Sequence, residues 1–263
     1  MSSEEQKTKQ PSLASQGAWL LFAKIIGFGL SFALPLIVVR TLSKADFGIY
    51  QQVFLVIVTV SAILPFGVSM SAFYFLSREK EKKPFYIFNI LLFNFLVGGS
   101  ACLFLNLYPN ILGDIFKDAE MTQLAPQIGV VIWLWVFSTF FEVVAVANQE
   151  ARTATVFIIS AQLTKSIFMI TAVWYWGTVG AMLNAAMAQA ILESAALFVY
   201  LNSRFREFWH SFDKKLFVRH LKYALPFGLM SVLWTLQADI HNWFIGNGFT
   251  AEEMAIYRAG CFE

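Results

Sequence analysis

Lys24 and Lys165 stand deep inside long apolar stretches of this 263-residue chain. An ionised side chain in such a place costs about 2.5–3.5 kcal/mol on insertion scales and marks function by default. Advancing about 100° per residue puts Gly17, Lys24, Ser31 and Pro35 on one narrow helix face. That stripe of small and polar groups suits a wet cavity better than lipid. Lys165 lies at the middle of its stretch with Gln162 one turn away. Together with Arg40, in the connection after the first stretch, these are the candidate cations for an anionic substrate.

Acidic groups share the same setting. Glu193 lies on one face with Ala186, Gln189 and Ala196, and Glu142 with Ser138 and Thr139. Asp239 falls with Thr235 and Asn242, close to His241. Buried carboxylates can exchange protons or sodium, so Glu193, Glu142, Asp239 and Gln189 are candidates for ion coupling or for the polar lining of a lumen. Inter-helix hydrogen bonding is the simpler reading for each taken singly. Lys165 and Glu193 lie about 13 residues before and 14 after the tight turn Gly177-Thr-Val-Gly180. At similar depth on neighbouring helices, they could form an ion pair that fixes packing and still lines a pathway.

The elements that must position these groups are transmembrane. The chain is 58% hydrophobic and 14% charged, against about 25% charged residues in soluble domains. Apolar runs near 14–39, 50–75, 85–108, 124–147, 154–176, 180–201 and 223–245 are each long enough to cross a hydrocarbon core, and an eighth starts at about 254. Barrel strands would be shorter and strictly alternating, so the fold class is all-α and polytopic. With a cytoplasmic N-terminus, 13 basic residues fall in inner connections and three (Arg40, Lys44, Lys117) in outer ones, which fixes the orientation. Residues 1–13 form the cytoplasmic N-terminus and 14–201 a lobe of six helices. Residues 202–222, basic with interleaved aromatics, read as an amphipathic helix on the anionic inner leaflet. Residues 223–263 begin a second lobe. Membrane adjacency argues against nucleic acid as a partner of this basic segment.

Arg40-Thr-Leu-Ser-Lys-Ala-Asp-Phe-Gly-Ile-Tyr50 has a fainter copy in Asn247-Gly-Phe-Thr-Ala-Glu-Glu-Met-Ala-Ile-Tyr257. In each, a hydroxyl residue stands three positions before an acid, the arrangement of a capping box at a helix start. The echo implies a two-lobed protein whose second lobe has barely begun where the sequence stops. Pro65 with Gly67 should kink the second span. The two cysteines, Cys102 and Cys261, offer neither a disulfide framework nor metal-ligand spacing. No DxD, HExxH, GxSxG, P-loop or GxGxxG pattern is present, which argues against an enzyme and against a bound cofactor or metal.

Ser12-Leu-Ala-Ser-Gln-Gly-Ala-Trp19 and the Arg40-to-Tyr50 segment, with Asn148-Gln-Glu-Ala-Arg152 and Tyr223-Ala-Leu-Pro-Phe-Gly228, resemble the polysaccharide and O-antigen flippases of the multidrug/oligosaccharidyl-lipid/polysaccharide exporter superfamily. The resemblance implies two six-helix lobes related by a pseudo-twofold along the membrane normal, with a cavity opening alternately to each side of the bacterial inner membrane. It implies a lipid-linked (undecaprenyl-diphosphate) oligosaccharide as substrate for polysaccharide or lipopolysaccharide biosynthesis, and a proton or sodium as possible coupling ion. Lys24 and Lys165 match the expected cavity cations by position. A drug/cation antiporter of the same superfamily is the alternative, and a membrane enzyme or scaffold of glycan assembly a third. Full members run well beyond this length, so the chain reads as the N-terminal part of a longer protein.

Overall fold

The computed structural model describes residues 13–205, 208–210 and 212–260. These residues form helices and contain no strand. In order they are α1 (Leu13–Thr41), α2 (Lys44–Ile63), α3 (Val68–Arg78), α4 (Lys83–Leu107), α5 (Asn110–Phe116), α6 (Ala119–Ser138), α7 (Phe140–Ala147), α8 (Ala151–Trp176), α9 (Val179–Arg204), α10 (Lys214–Gly248) and α11 (Ala251–Gly260). Six spans are long and apolar enough to cross a membrane: α1, α2, α4, α6 continued by α7, α8 and α9.

Local chemistry explains most of the boundaries. Gly177 ends α8 in the left-handed region, at φ 61°, and Thr178 caps α9 by accepting from the Ala181 amide at 3.3 Å. This gives the expected antiparallel hairpin. The second apolar run is broken rather than kinked. After Pro65, Phe66 and Gly67 both take positive φ values of 44° and 72°, and α3 restarts at Val68. Residues 202–222 hold no separate surface helix among those described. Instead α9 runs on through Arg204, a short 3-10 turn covers Phe208–His210, and α10 begins at Lys214. Asp213 sets that start by accepting from the amides of Lys215 and Leu216 at 2.7 and 3.1 Å, so the basic residues 214–222 form the first turns of a 35-residue helix. The seven-residue α5 also interrupts what reads in the sequence as a plain connection.

Packing is layered along the bundle. One buried cluster joins Leu34 and Val38 of α1, Phe47 to Ile57 of α2, Ile128 and Ile132 of α6, Met182 of α9 and Met254 of α11. A second, at the end of the bundle where α1 begins, joins Phe75, Tyr86, Phe140, Leu197, Phe208 and Ala224. Helix α1 packs chiefly on α8, and α10 and α11 lie against α2. The last two helices are thus seated on the broken helix α2–α3.

Two close approaches fix that seat. A Cβ on Gly48 would overlap the Ala251 carbonyl, so α2 and α11 cross backbone against backbone. Farther along, a Cβ on Gly67 would come within 2.6 Å of the Gly228 amide nitrogen, and one on Gly228 within 2.6 Å of the Phe66 carbonyl oxygen. The break in α2–α3 is therefore filled by the backbone of α10.

Candidate functional site

Both copies of the repeated segment cap a helix start as predicted, the second with the full reciprocal box and the first through the hydroxyl. Ser43 accepts from the Asp46 amide at 3.1 Å and donates its hydroxyl to Asp46 Oδ2 at 2.5 Å. Thr250 accepts from the Glu253 amide at 3.3 Å, while Glu253 Oε2 takes bonds from the Thr250 amide and hydroxyl at 2.9 and 3.0 Å. With their free amides satisfied, α2 and α11 start side by side and point the next turns of both helices into one crevice.

That crevice is a cavity of about 310 Å³ walled by α1, α2, α8, α10 and α11. Its charged lining groups are Lys165, Asp239 and Arg258, and Ser31, Gln51 and Gln162 supply neutral polar ones. Arg258 is held from α2 and α10: Nε donates to Gln51 Oε1 and Nη1 to Asn242 Oδ1, each at 3.2 Å. Asp239 accepts from the Thr59 hydroxyl at 3.1 Å, and the Trp243 indole donates to that same hydroxyl oxygen at 3.3 Å. Gln162 donates to Ser31 at 2.7 Å, tying α8 to α1. The grouping of Thr235, Asp239 and Asn242 on one face of α10 is what turns these side chains towards α2, and Thr235 and Asn242 are buried there.

Lys165 enters this cavity from α8. Its ammonium sits 4.3 Å from the centroid of the Trp135 ring, a cation–π contact that supplies electron density without neutralising the charge. Lys165 and Glu193 do not form an ion pair. Glu193, behind it in α9, accepts from the buried Ser138 hydroxyl at 2.9 Å. Gln189 is buried one turn away and does not reach the cavity. Glu193 and Gln189 therefore lie inside the first lobe.

Lys24 is also placed away from Lys165. Its ammonium lies 2.5 Å from Glu142 Oε1 of α7, with the two side chains 59% and 37% exposed. The stripe on α1 is divided: Lys24 meets α7, whereas Ser31 and Pro35 line the cavity. Arg40 is exposed at the last turn of α1, outside the cavity lining. The sequence reading missed Arg258 as a site residue. The internal echo carried the signal, since one step beyond Tyr50 and Tyr257 it aligns Gln51 with Arg258.

Six helices able to cross a membrane, with charged and amide side chains gathered among α1, α2, α8, α10 and α11, define a polytopic membrane protein with a polar cavity between its helices. Residues 13–261 match the family model described as polysaccharide biosynthesis protein, and the chain belongs to that family. No curated protein matches the sequence significantly. Among solved structures, the chain is similar to the outward-facing conformation of a multidrug resistance MATE family transporter of the MOP superfamily. The TM-score is 0.68 at 18% identity, covering 88% of this chain and 54% of that one. It is equally similar to a MOP superfamily transporter from Pyrococcus furiosus described as having a binding pocket of reversed polarity that suggests a different function (TM-score 0.68, 18% identity, 90% and 56% covered). An inward-facing conformation of a multidrug resistance MATE family transporter matches with a TM-score of 0.61 at 17% identity, covering 87% and 55%. The chain spans about half the length of these solved transporters, and its fold is theirs.

Proposed function

We propose that this chain forms one lobe and the opening of the second in a transporter that moves a lipid-linked oligosaccharide across the bacterial inner membrane by alternating access. The observation that carries the reading is the cavity between the lobes, where two cations, Lys165 and Arg258, accompany one acid, Asp239. A diphosphate headgroup crossing a low-dielectric layer needs such cations, whose attraction at about 4 Å is worth several kcal/mol even at an effective dielectric of 20. Membership of the polysaccharide biosynthesis family gives the sugar side of the substrate its support, and the fold shared with MOP transporters supports movement across the bilayer.

Residue roles follow from place. Lys165 and Arg258 would contact the diphosphate. Gln51, Gln162 and Ser31 would accept and donate bonds to it. Asp239, held by Thr59, would carry an exchangeable ion, and Lys24 with Glu142 would line the approach from the end where α1 begins.

The test uses the whole protein in cells that depend on it for surface glycan. Lys165→Ala and Arg258→Ala are expected to accumulate lipid-linked glycan on the inner leaflet, with the protein still present in the membrane. Export at the wild-type rate in both variants would overturn the reading.

A further inference from the structure

On another face of the bundle, α4, α6 and α9 enclose an open apolar groove of about 360 Å³. Its floor is Trp133. The indole Nε1 donates to the Phe95 carbonyl at 3.1 Å, and the ring rests on α4 where Gly98 leaves room. A Cβ there would come within 2.9 Å of Trp133 Cδ1. The ring is seated by backbone, so the groove exists before anything enters it. The Ser194 hydroxyl in its wall is already bonded to the Ala190 carbonyl at 2.8 Å.

The groove is closed at one end by the 3-10 turn. Phe208 is fully buried, and its ring centroid lies 4.3 Å from that of Trp209. Trp209 in turn stacks on Phe198 at 5.5 Å with 8° between planes, and donates Nε1 to Asn202 Oδ1 at 2.9 Å. From there the groove runs to Trp133 and Ser194, near the middle of α6 and α9.

Its direction is set by a contrast within α6. Trp135 faces Phe54 of α2 and Lys165 of α8, at the polar cavity. Trp133, two residues earlier and about 200° round the helix, therefore looks away from the second lobe. All three walls belong to spans able to cross a membrane, so the groove opens into hydrocarbon. At its closed end the start of α10 docks on α4, with Asn89 donating to the Asp213 carbonyl at 3.3 Å. The exposed Lys214 and Lys215 follow Asp213, so they stand at the depth of the closed end, on the side of α4 that carries Asn89 and Phe93, about 100° round from Phe88.

We propose that this groove binds one acyl chain of a membrane phospholipid with an anionic headgroup, the tail lying along Trp133 and the phosphate at the level of Lys214 and Lys215, whose long side chains reach round α4 towards it. The occupant is a resident lipid rather than cargo, because groove and cavity lie on opposite faces of α6.

Native mass spectrometry of the full-length protein in mild detergent, titrated with phosphatidylglycerol or phosphatidylcholine, tests this. The wild type should retain one phosphatidylglycerol per chain, with about tenfold preference over phosphatidylcholine. Ser194→Phe, which fills the groove, should lose it, and the double change Lys214→Gln, Lys215→Gln should lose only the preference. Val199→Phe, on the exposed side of the same helix, should bind as the wild type does. If Ser194→Phe fails to fold, Trp209→Ala, at the rim, carries the same expectation of lost retention. Wild-type retention in a folded groove variant, or displacement of phosphatidylglycerol by a polyprenyl phosphate, would overturn the proposal. Neither result touches the assignment of the cavity, which is read out by glycan export.

Discussion

Arg258 donates its Nε to Gln51 Oε1 at 3.2 Å, and these two residues, 207 positions apart, hold the same place in the two copies of the repeated segment. The bond thus joins corresponding points of the two copies. The helix caps at Ser43 and Thr250 flank this point, and Gly48 passes beneath the Ala251 carbonyl beside it. Helices α2 and α11 are thus pinned together at the end of the bundle where α1 finishes.

Gly48→Val should loosen that pin. The added side chain must displace backbone, and overpacking of this kind costs about 1–3 kcal/mol. Thermal unfolding of the purified protein should show a clear drop in midpoint. Gly29→Ala, with nothing within 4 Å of its Cβ, should show none.

Lys165→Met should separate stability from activity. A buried cation held by a ring face, with Glu193 acting on it only through space, contributes little net to folding, and an isosteric apolar side chain is often neutral or stabilising in such a place. The expected result is an unchanged or raised melting temperature together with lost glycan export.

Lys24 and Glu142 should behave as a coupled pair. Lys24→Met leaves the Glu142 carboxylate without its partner, and Glu142→Gln does the converse, so each should destabilise. The double variant should recover part of the loss, with a coupling energy of about 0.2–1 kcal/mol for so exposed a pair. A coupling indistinguishable from zero in a double-mutant cycle would show that the contact is incidental.

His220 makes stability depend on pH. It is buried against the edges of Phe75 and Tyr86 at the end where α1 begins. Burial pushes its imidazole down to about 4, against a weaker upward pull from the Val68 backbone. Below about pH 6.5 the unfolded chain takes up a proton that the folded one refuses, so stability is full above that value and falls by about 3 kcal/mol on the way down to pH 4. Nearby Glu79 is also desolvated, which raises its pKa. The Tyr86 hydroxyl, Lys82 and Arg219 more than offset this and hold it below the usual value, so its own contribution is lost only at lower pH. Melting curves across this range should flatten in His220→Phe.

Much of this architecture was legible because lipid restricts the choices. Unbroken apolar runs can only be helices, and the Gly177 turn and both helix caps are local signals that no tertiary contact overrides. The seven residues of α5 carry no long apolar period, and Asp213 hides a helix start inside a basic stretch. Site residues were harder. Depth brings Lys165 and Glu193 close enough for their charges to interact, but depth says nothing of rotation, which decides direct contact. Trp135 and Ser138 of α6 take the two charges instead. The Lys24–Glu142 pair joins residues 118 positions apart, a relation that appears only once α7 has packed.

Where Gly67 and Gly228 meet, α10 touches the backbone of the broken helix and the Phe66 ring with no side chain of its own between, so their separation is set by van der Waals contact. Neither can come closer, and any larger rearrangement of α10 must pivot there. The helix then acts as a lever with a fulcrum near its middle. By helical rise, Arg219 with its bond to Glu79 lies about 13 Å along one arm, and Asn242 with its bond to Arg258 about 21 Å along the other. A small rotation that parts one of these contacts must press the other end of the lever inward.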